Sequence, residues 1–237
     1  MSGSAVARAA SLVAGAPSGV GVASGLTLTP VDRERVLPVP GELASLFPSG
    51  GLRRGSTVVV RGSTTVLLAL LAAATADGSW AAIVNMPGLG VLAAAELGVE
   101  VRRLALVPAP GVQVPAVTAA LLDGVDLVVV AGGGVDTARA RRLSARARHR
   151  GAVLLPFGPW PAPDLALTCT GRRWIGLDGG YGHLRAREFV VSASGRGAAA
   201  RPVRTRLMLP GLNGAPGSTS TADGREMHRM SAVHAKG

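Results

Sequence analysis

Residues 57–70 read TVVVRGSTTVLLAL: an apolar strand, a Gly-Ser-Thr-Thr turn and an apolar helix. This is the layout of a nucleotide-binding segment, in which backbone N–H groups at a helix N-terminus face a phosphate. A complete phosphate-binding loop of the pattern G-x-x-x-x-G-K-[ST] needs more than that layout. It needs a second glycine, a lysine that reaches the β/γ oxygens and a hydroxyl that holds magnesium. After Gly62 the chain runs Ser63, Thr64 and Thr65, then directly into Val66-Leu67-Leu68. No second glycine is correctly placed, residues 62–101 contain neither Lys nor Arg, and Lys236 is the chain's one lysine. The turn therefore reads as a tight strand-to-helix connection capped by a Ser or Thr hydroxyl. A few N–H groups at that helix end would attract an anion only weakly.

Nucleotide hydrolysis also requires a carboxylate at the end of an apolar strand to orient magnesium. The candidate strand is Asp126-Leu127-Val128-Val129-Val130, and it is followed by Ala131. Asp126 stands at the beginning of the strand, the wrong end, and reads as a turn or cap residue together with Asp123. A catalytic carboxylate would be expected after the strand at 80–85, where the chain offers Asn85-Met86-Pro87-Gly88. Three positions fail together.

Around this segment the chain alternates between strand and helix patterns. Strand 56–61 leads to helix 64–76, strand 80–85 to helix 89–97, strand 104–107 to a helix near 112–122, and strand 126–131 to helix 136–149; strand 152–156 follows. Near-continuous apolar strands spaced by helices predict an α/β fold whose mostly parallel sheet is covered on both faces. Residues 165–210 change character. Leu165–Thr170, Trp174–Leu177, Leu184–Ser192 and Val203–Leu209 read as short strands joined by Gly turns, an antiparallel meander at the sheet edge. A short helix and a Gly-rich turn precede the first strand within 30–55. The expected organisation is a disordered segment at 1–29, one domain at 30–210 and a disordered tail at 211–237.

Of 237 residues, 48% are hydrophobic and 16% charged, enough for one sizeable core. The longest apolar stretch, 64–76, is too short to span a membrane. The first 25 residues carry no compact apolar region after a basic start, so no signal peptide is expected. A lone cysteine, Cys169, excludes an internal disulfide and favours a reducing cytoplasm. It lacks a clear base and reads as a small buried apolar residue. His149 and His183 have no visible partner, and His228 and His234 fall in the tail. Neither metal nor cofactor is expected.

The net charge of +11 arises from 25 basic against 14 acidic residues and favours an acidic partner. An arginine-rich composition with almost no lysine also follows from a GC-rich genome, which weakens that inference. The charge is nonetheless concentrated. Arg139, Arg142, Arg146 and Arg150 recur at i, i+3, i+7 and i+11 and share one helix face, with Arg141 and Arg148 beside them. That face is either solvated or a docking face for DNA phosphates or an acidic partner. Arg196, Arg201, Arg204 and Arg206 form a second basic group on the edge hairpin and leave the same two readings open.

The strings GGLRRGSTVVVRG, NMPGLGVLAAAELGVEVRRLALVPAPG and ALLDGVDLVVV, in that order, resemble the core of RecA-type recombinases. Within that superfamily LFPSGGLRRGS, WAAIVNMPGLGVLAAAELGV and LLDGVDLVVVAGG are most similar to the actinobacterial ImuA-type (ImuA-prime) proteins of the damage-inducible mutagenesis cassette. The likeness covers about residues 36–210. It implies a RecA-like core and a role by assembly in SOS-induced translesion synthesis. The implied partners are an ImuB-like protein related to Y-family polymerases and an error-prone DNA polymerase III α-subunit homologue. On the matching positions Gly62 stands where the phosphate loop begins, Pro87 near the catalytic glutamate and Ala131 at the magnesium-orienting aspartate. All three departures argue against hydrolysis. Recombinases of this superfamily bind single-stranded DNA through long loops after the fourth and fifth strands. Here those loops are Gly132-Gly133-Gly134-Val135 and Pro159-Trp160-Pro161-Ala162, too short to wrap a strand. Trp160 either packs or stacks on a base. The leading expectation is a non-catalytic adaptor. A basic DNA-binding protein using helix 136–150 and a divergent ATPase remain as alternatives, and self-association stays open.

Overall fold

The computed structural model describes residues 35–178, 181–209 and 217–218. The expected segments at 1–29 and 211–237 lie outside these residues, apart from Gly217–Ser218. Nine strands form the main sheet. They are β3 (Val58–Arg61), β4 (Ala81–Val84), β5 (Leu104–Val107), β6 (Leu127–Ala131), β7 (Val153–Phe157), β8 (Leu165–Asp178), β9 (Tyr181–Gly195), β10 (Val203–Met208) and β11 (Gly217–Ser218). Their spatial order is β11-β10-β9-β8-β3-β7-β6-β4-β5. Strands β5 to β8 together with β3 and β4 run parallel, while β8, β9, β10 and β11 pair antiparallel. A small antiparallel pair, β1 (Val36–Leu37) with β2 (Leu52–Arg53), precedes β3 and encloses the short helix α1 (Gly41–Ala44).

The helices fall on both faces, as apolar parallel strands require. The alternation of side chains along each strand divides the core in two. Val58 and Val60 of β3, Ile83, Leu127, Val129, Val153 and Leu155 pack on one face with α2 (Thr64–Ala76) and α3 (Val91–Glu96). Val59, Val84, Val128, Val130 and Leu154 pack on the other with α4 (Val114–Leu121) and α5 (Thr137–Arg150). α2 is apolar nearly all round, with Leu67, Leu70 and Leu71 fully buried. Each such leucine contributes on the order of 1.5–3 kcal/mol. α5 instead buries a narrow stripe of Ala140, Leu143 and Ala147 and leaves its arginines outside.

The antiparallel section differs from the expected chain of short strands. β8 and β9 are long partners of 14 and 15 residues. Register shifts between Thr170 and Arg172 and between Ile175 and Leu177 replace the anticipated breaks. Such bulges insert a residue without ending the strand, so an interruption in the apolar pattern was mistaken for a terminus. No described helix covers the outer face of β8–β10, so its polar residues need no partner layer.

Gly62 fixes how β3 passes into α2. Its φ is +86°, and a Cβ there would sit 2.6 Å from the Cys169 carbonyl oxygen of β8. Both a left-handed backbone and a close approach demand glycine. Gly151, which ends α5 at φ +71°, has open space around it. Replacing Gly151 by Ala should therefore cost only backbone strain, about 1 kcal/mol. Gly62→Ala should cost roughly 3 kcal/mol, because the strain is compounded by a clash. Urea midpoints of the two variants test this; equal midpoints would show that β8 yields freely at Cys169.

Candidate functional site

In a parallel α/β sheet, ligands are held beyond the carboxyl ends of the strands. The segments there are Gly62–Thr65 after β3, Asn85–Gly90 after β4, the end of β6 at Ala131 with 132–136 after it, and 158–163 after β7. The structure thus brings Gly62, Ser63, Thr64, Thr65, Pro87 and Ala131 to one edge. The Ser63 hydroxyl accepts a hydrogen bond from the Val66 N–H at 3.2 Å, so the N-cap expected from sequence caps α2. That N–H is one of those a bound phosphate would use. Asn85 takes a left-handed turn at φ 62° and leaves Pro87 exposed, while Ala131 is half-buried in register with Phe157.

The first residues of these loops bond back onto the neighbouring strands. The Gly132 N–H donates to the Phe157 carbonyl at 2.9 Å, and the Gly158 N–H donates to the Val60 carbonyl at 3.0 Å. A Cβ on Gly132 would lie 2.5 Å from the Pro159 carbonyl oxygen, so the β6 and β7 loops touch backbone to backbone. Asp136 is the one carboxylate in these four segments. It is engaged as the cap of α5, accepting from the Arg139 N–H at 2.8 Å. Among the described residues no group of acids, histidines or cysteines is arranged to hold a metal.

The acids of the sheet sit at the opposite, amino edge. Asp126 accepts from Arg54 Nη1 at 2.8 Å and from the Trp80 N–H at 2.9 Å, which ties the starts of β4 and β6 to the turn before β3. Asp164 accepts from the Thr57 N–H at 2.9 Å and pairs with Arg148 at 3.4 Å. Sequence reading made Asp126 a turn or cap residue; its carboxylate instead joins separate elements. A cavity of about 460 Å³ opens at this edge between Phe47, Pro48, Arg53, Asp164 and Arg196.

Three of the four aligned arginines on the α5 face are ion-paired, to two carboxylates. Asp123, just past α4, accepts from Arg146 Nε at 2.8 Å and from Arg150 Nε at 3.0 Å. Arg139 pairs with Asp136 at 3.4 Å. Of the four aligned arginines only Arg142 has no ion pair with a described residue. Sequence spacing placed these residues on one face correctly but could not reveal that Asp123, 23 positions away from Arg146, would face them.

Trp160 belongs to the core: it is 5% exposed and its indole N–H donates to the Ser144 hydroxyl at 3.1 Å. It therefore has no face free for a base. Cys169 is buried, as expected, and His149 is exposed on α5.

The second basic group leads to a surface that the sequence reading missed. Pairing in register, Arg61 of β3 stands beside Thr168 of β8, Thr168 beside Ser192 of β9, and Ser192 beside Arg204 of β10. The next row carries Thr170, Val190 and Arg206. Val59 faces the α4–α5 layer, so Arg61, two residues on, projects toward the same side but beyond its cover. Arg204 and Arg206 are exposed, and none of the three makes an ion pair with a described residue. Arg196 and Arg201 are exposed outside this row. The period-2 recurrence of Thr168 and Thr170, Ser192 and Ser194, and Arg204 and Arg206 was a visible signal, but strand order was needed to join them.

Comparison with known proteins adds two likenesses. Residues 45–162 match the MT3502 N-terminal domain family. The chain is also similar to an uncharacterized protein of Mycobacterium tuberculosis, Rv3395c, at 44% identity over 132 residues. That alignment covers 54% of this chain and 65% of the relative's length. The likeness fits an actinobacterial group and leaves activity to be argued from the site. No described helix is long and apolar enough to cross a membrane.

The Asp123 cluster has a measurable signature. The hydrogen bond from Arg146, reinforced by the charges of Arg146 and Arg150, holds the Asp123 carboxyl below its ordinary value of 3.8. A depressed folded-state value means the cluster stabilises the fold above the ordinary carboxylate range and stops doing so as pH falls through the lowered value. The gap in melting temperature between the native chain and Asp123→Asn should be largest near neutral pH and shrink below about pH 4. It should also shrink in high salt. A gap independent of pH would show that packing, not charge, is what the substitution removes.

Proposed function

We propose that this chain is a non-catalytic, RecA-fold accessory protein of SOS-induced mutagenic translesion DNA synthesis. It works in the cytoplasm through contacts with an ImuB-like protein and an error-prone DNA polymerase III α-subunit homologue. The sheet architecture and the paired sequence strings agree with a RecA-type core. The observation that carries the non-catalytic part is the carboxyl edge. Its loops start with N–H groups bonded to neighbouring strands, its cap position on α2 is filled by Ser63, and its one carboxylate is committed to capping α5. Nothing there resembles the lysine, the magnesium ligand and the activating acid that phosphoryl transfer uses.

The adaptor part draws on the other end of the sheet. β5 pairs with β4 on one side and with no described strand on the other. Around it Leu106 is 41% exposed, Leu92 73% and Val112 93%. An open strand edge bordered by apolar side chains suits a partner that adds a strand.

Purified protein should turn over ATP far below about 1 s⁻¹, with or without DNA. Turnover at an ordinary enzymatic rate would overturn the non-catalytic reading. Immobilised protein should capture purified ImuB-like protein, and Leu106→Lys with Val112→Asp should weaken capture at least tenfold while leaving the circular dichroism spectrum unchanged. If the native chain captures neither of the two proposed partners, the adaptor reading fails.

A further inference from the structure

We infer that the outer face of β8–β10, which no described helix covers, is a binding site for the phosphate backbone of double-stranded DNA. The face is built from the row Arg61, Thr168, Ser192 and Arg204 and the adjoining row with Thr170 and Arg206. Strand spacing sets Arg61 and Arg204 about 14 Å apart across the sheet and Arg204 and Arg206 about 7 Å apart along it. Three arginines without acidic partners among the described residues alternate with the hydroxyls of Thr168 and Thr170, side-chain types that meet phosphate oxygens, while the Ser192 hydroxyl donates to the Thr168 carbonyl at 3.3 Å. The helix beside the face adds to it. Ser144 reaches Trp160 and Arg148 reaches Asp164, so this side of α5 looks toward the β7–β8 connection. Arg141 lies on the same side, at i−3 and i−7 from those residues, and is exposed without an ion pair to a described residue.

The contrast with the opposite side of α5 locates the site. There Asp123 and Asp136 engage Arg139, Arg146 and Arg150, whereas among the described residues of the sheet face Glu188 stands one row beyond Arg206 in register with Arg173, and Asp164, where α5 meets the face, is paired with Arg148. The occupant follows from what the face lacks. Trp174 and Phe189 lie on the other side of the sheet against Arg187, so among the described side chains no aromatic ring of this face is offered to unpaired bases. A single strand gains much of its affinity from such stacking. A duplex, whose bases are already stacked, needs only phosphate contacts, and these carry no sequence preference.

The inference is independent of the protein partners proposed above. Its test is fluorescence anisotropy of the full chain with a labelled 20-base-pair duplex, titrated between 50 and 200 mM KCl. Arg204→Ser with Arg206→Ser should reduce the slope of log K against log salt by about 1.8, two phosphate contacts at about 0.9 each. Arg204→Lys with Arg206→Lys should restore most of that slope. Arg139→Ser with Arg150→Ser, on the ion-paired side of α5, should leave it within about 0.5. The inference is overturned if the serine pair keeps the native slope, if the control pair lowers it equally, or if a single strand of equal length binds more tightly than the duplex. Absence of duplex binding at 50 mM KCl also overturns it. If the serine pair then weakens capture of the ImuB-like protein, the face serves an acidic protein, and the adaptor reading survives on its own.

Discussion

The burial of β3 on both of its faces is the constraint from which the rest of the molecule follows. Val58, Val59 and Val60 are buried to within 2% of complete enclosure, two facing the α2 layer and one the α5 layer. A strand so placed needs hydrogen-bonded neighbours on either edge and helices above and below, because nothing else can satisfy its backbone and its side chains together. β7 and β8 supply the edges, and α2, entered within two residues of the strand's end, supplies one cover. The tightness of that entry keeps Gly62 against the Cys169 carbonyl and leaves no slack for a loop that could surround a phosphate.

Charge in this chain is organised by the direction of the strands. The carboxylates that do structural work, Asp126 and Asp164, lie at the amino ends, where they gather N–H groups and arginines from turns far apart in sequence. The carboxyl ends are nearly devoid of them. In sheets of this kind ligands are held where the strands emit their loops. The polarity of the sheet and the polarity of its acids are therefore opposed, and at the emptied edge the Gly132 and Gly158 N–H groups donate to carbonyls of neighbouring strands.

Much of the parallel half was legible in the sequence because its signals are local. Helix α2 begins and ends where the apolar run and the Ser63 cap indicate, and the strand at Leu104–Val107 matches its expected bounds. The antiparallel half was less legible. Bulges at Thr170/Arg172 and Ile175/Leu177 break the two-residue alternation without ending the strand, and no local pattern separates that case from two short strands. The site showed the same division. The missing lysine and acids could be read along the chain, whereas the pairing of Asp123 with Arg146 and the row from Arg61 to Arg204 depend on which elements become neighbours.

The separation of the three tryptophans makes the molecule report on itself optically. Trp160 is sealed between α5 and the β7–β8 connection, so its emission follows the integrity of that layer. Trp80 and Trp174 are half-exposed, each beneath an arginine, Arg103 and Arg187 respectively, on separate parts of the sheet. Quenching by a soluble agent would thus reach two indoles and spare the third. A ligand settling over either cation would alter one signal while the interior signal stayed fixed, distinguishing occupation of the surface from loosening of the core without any added label.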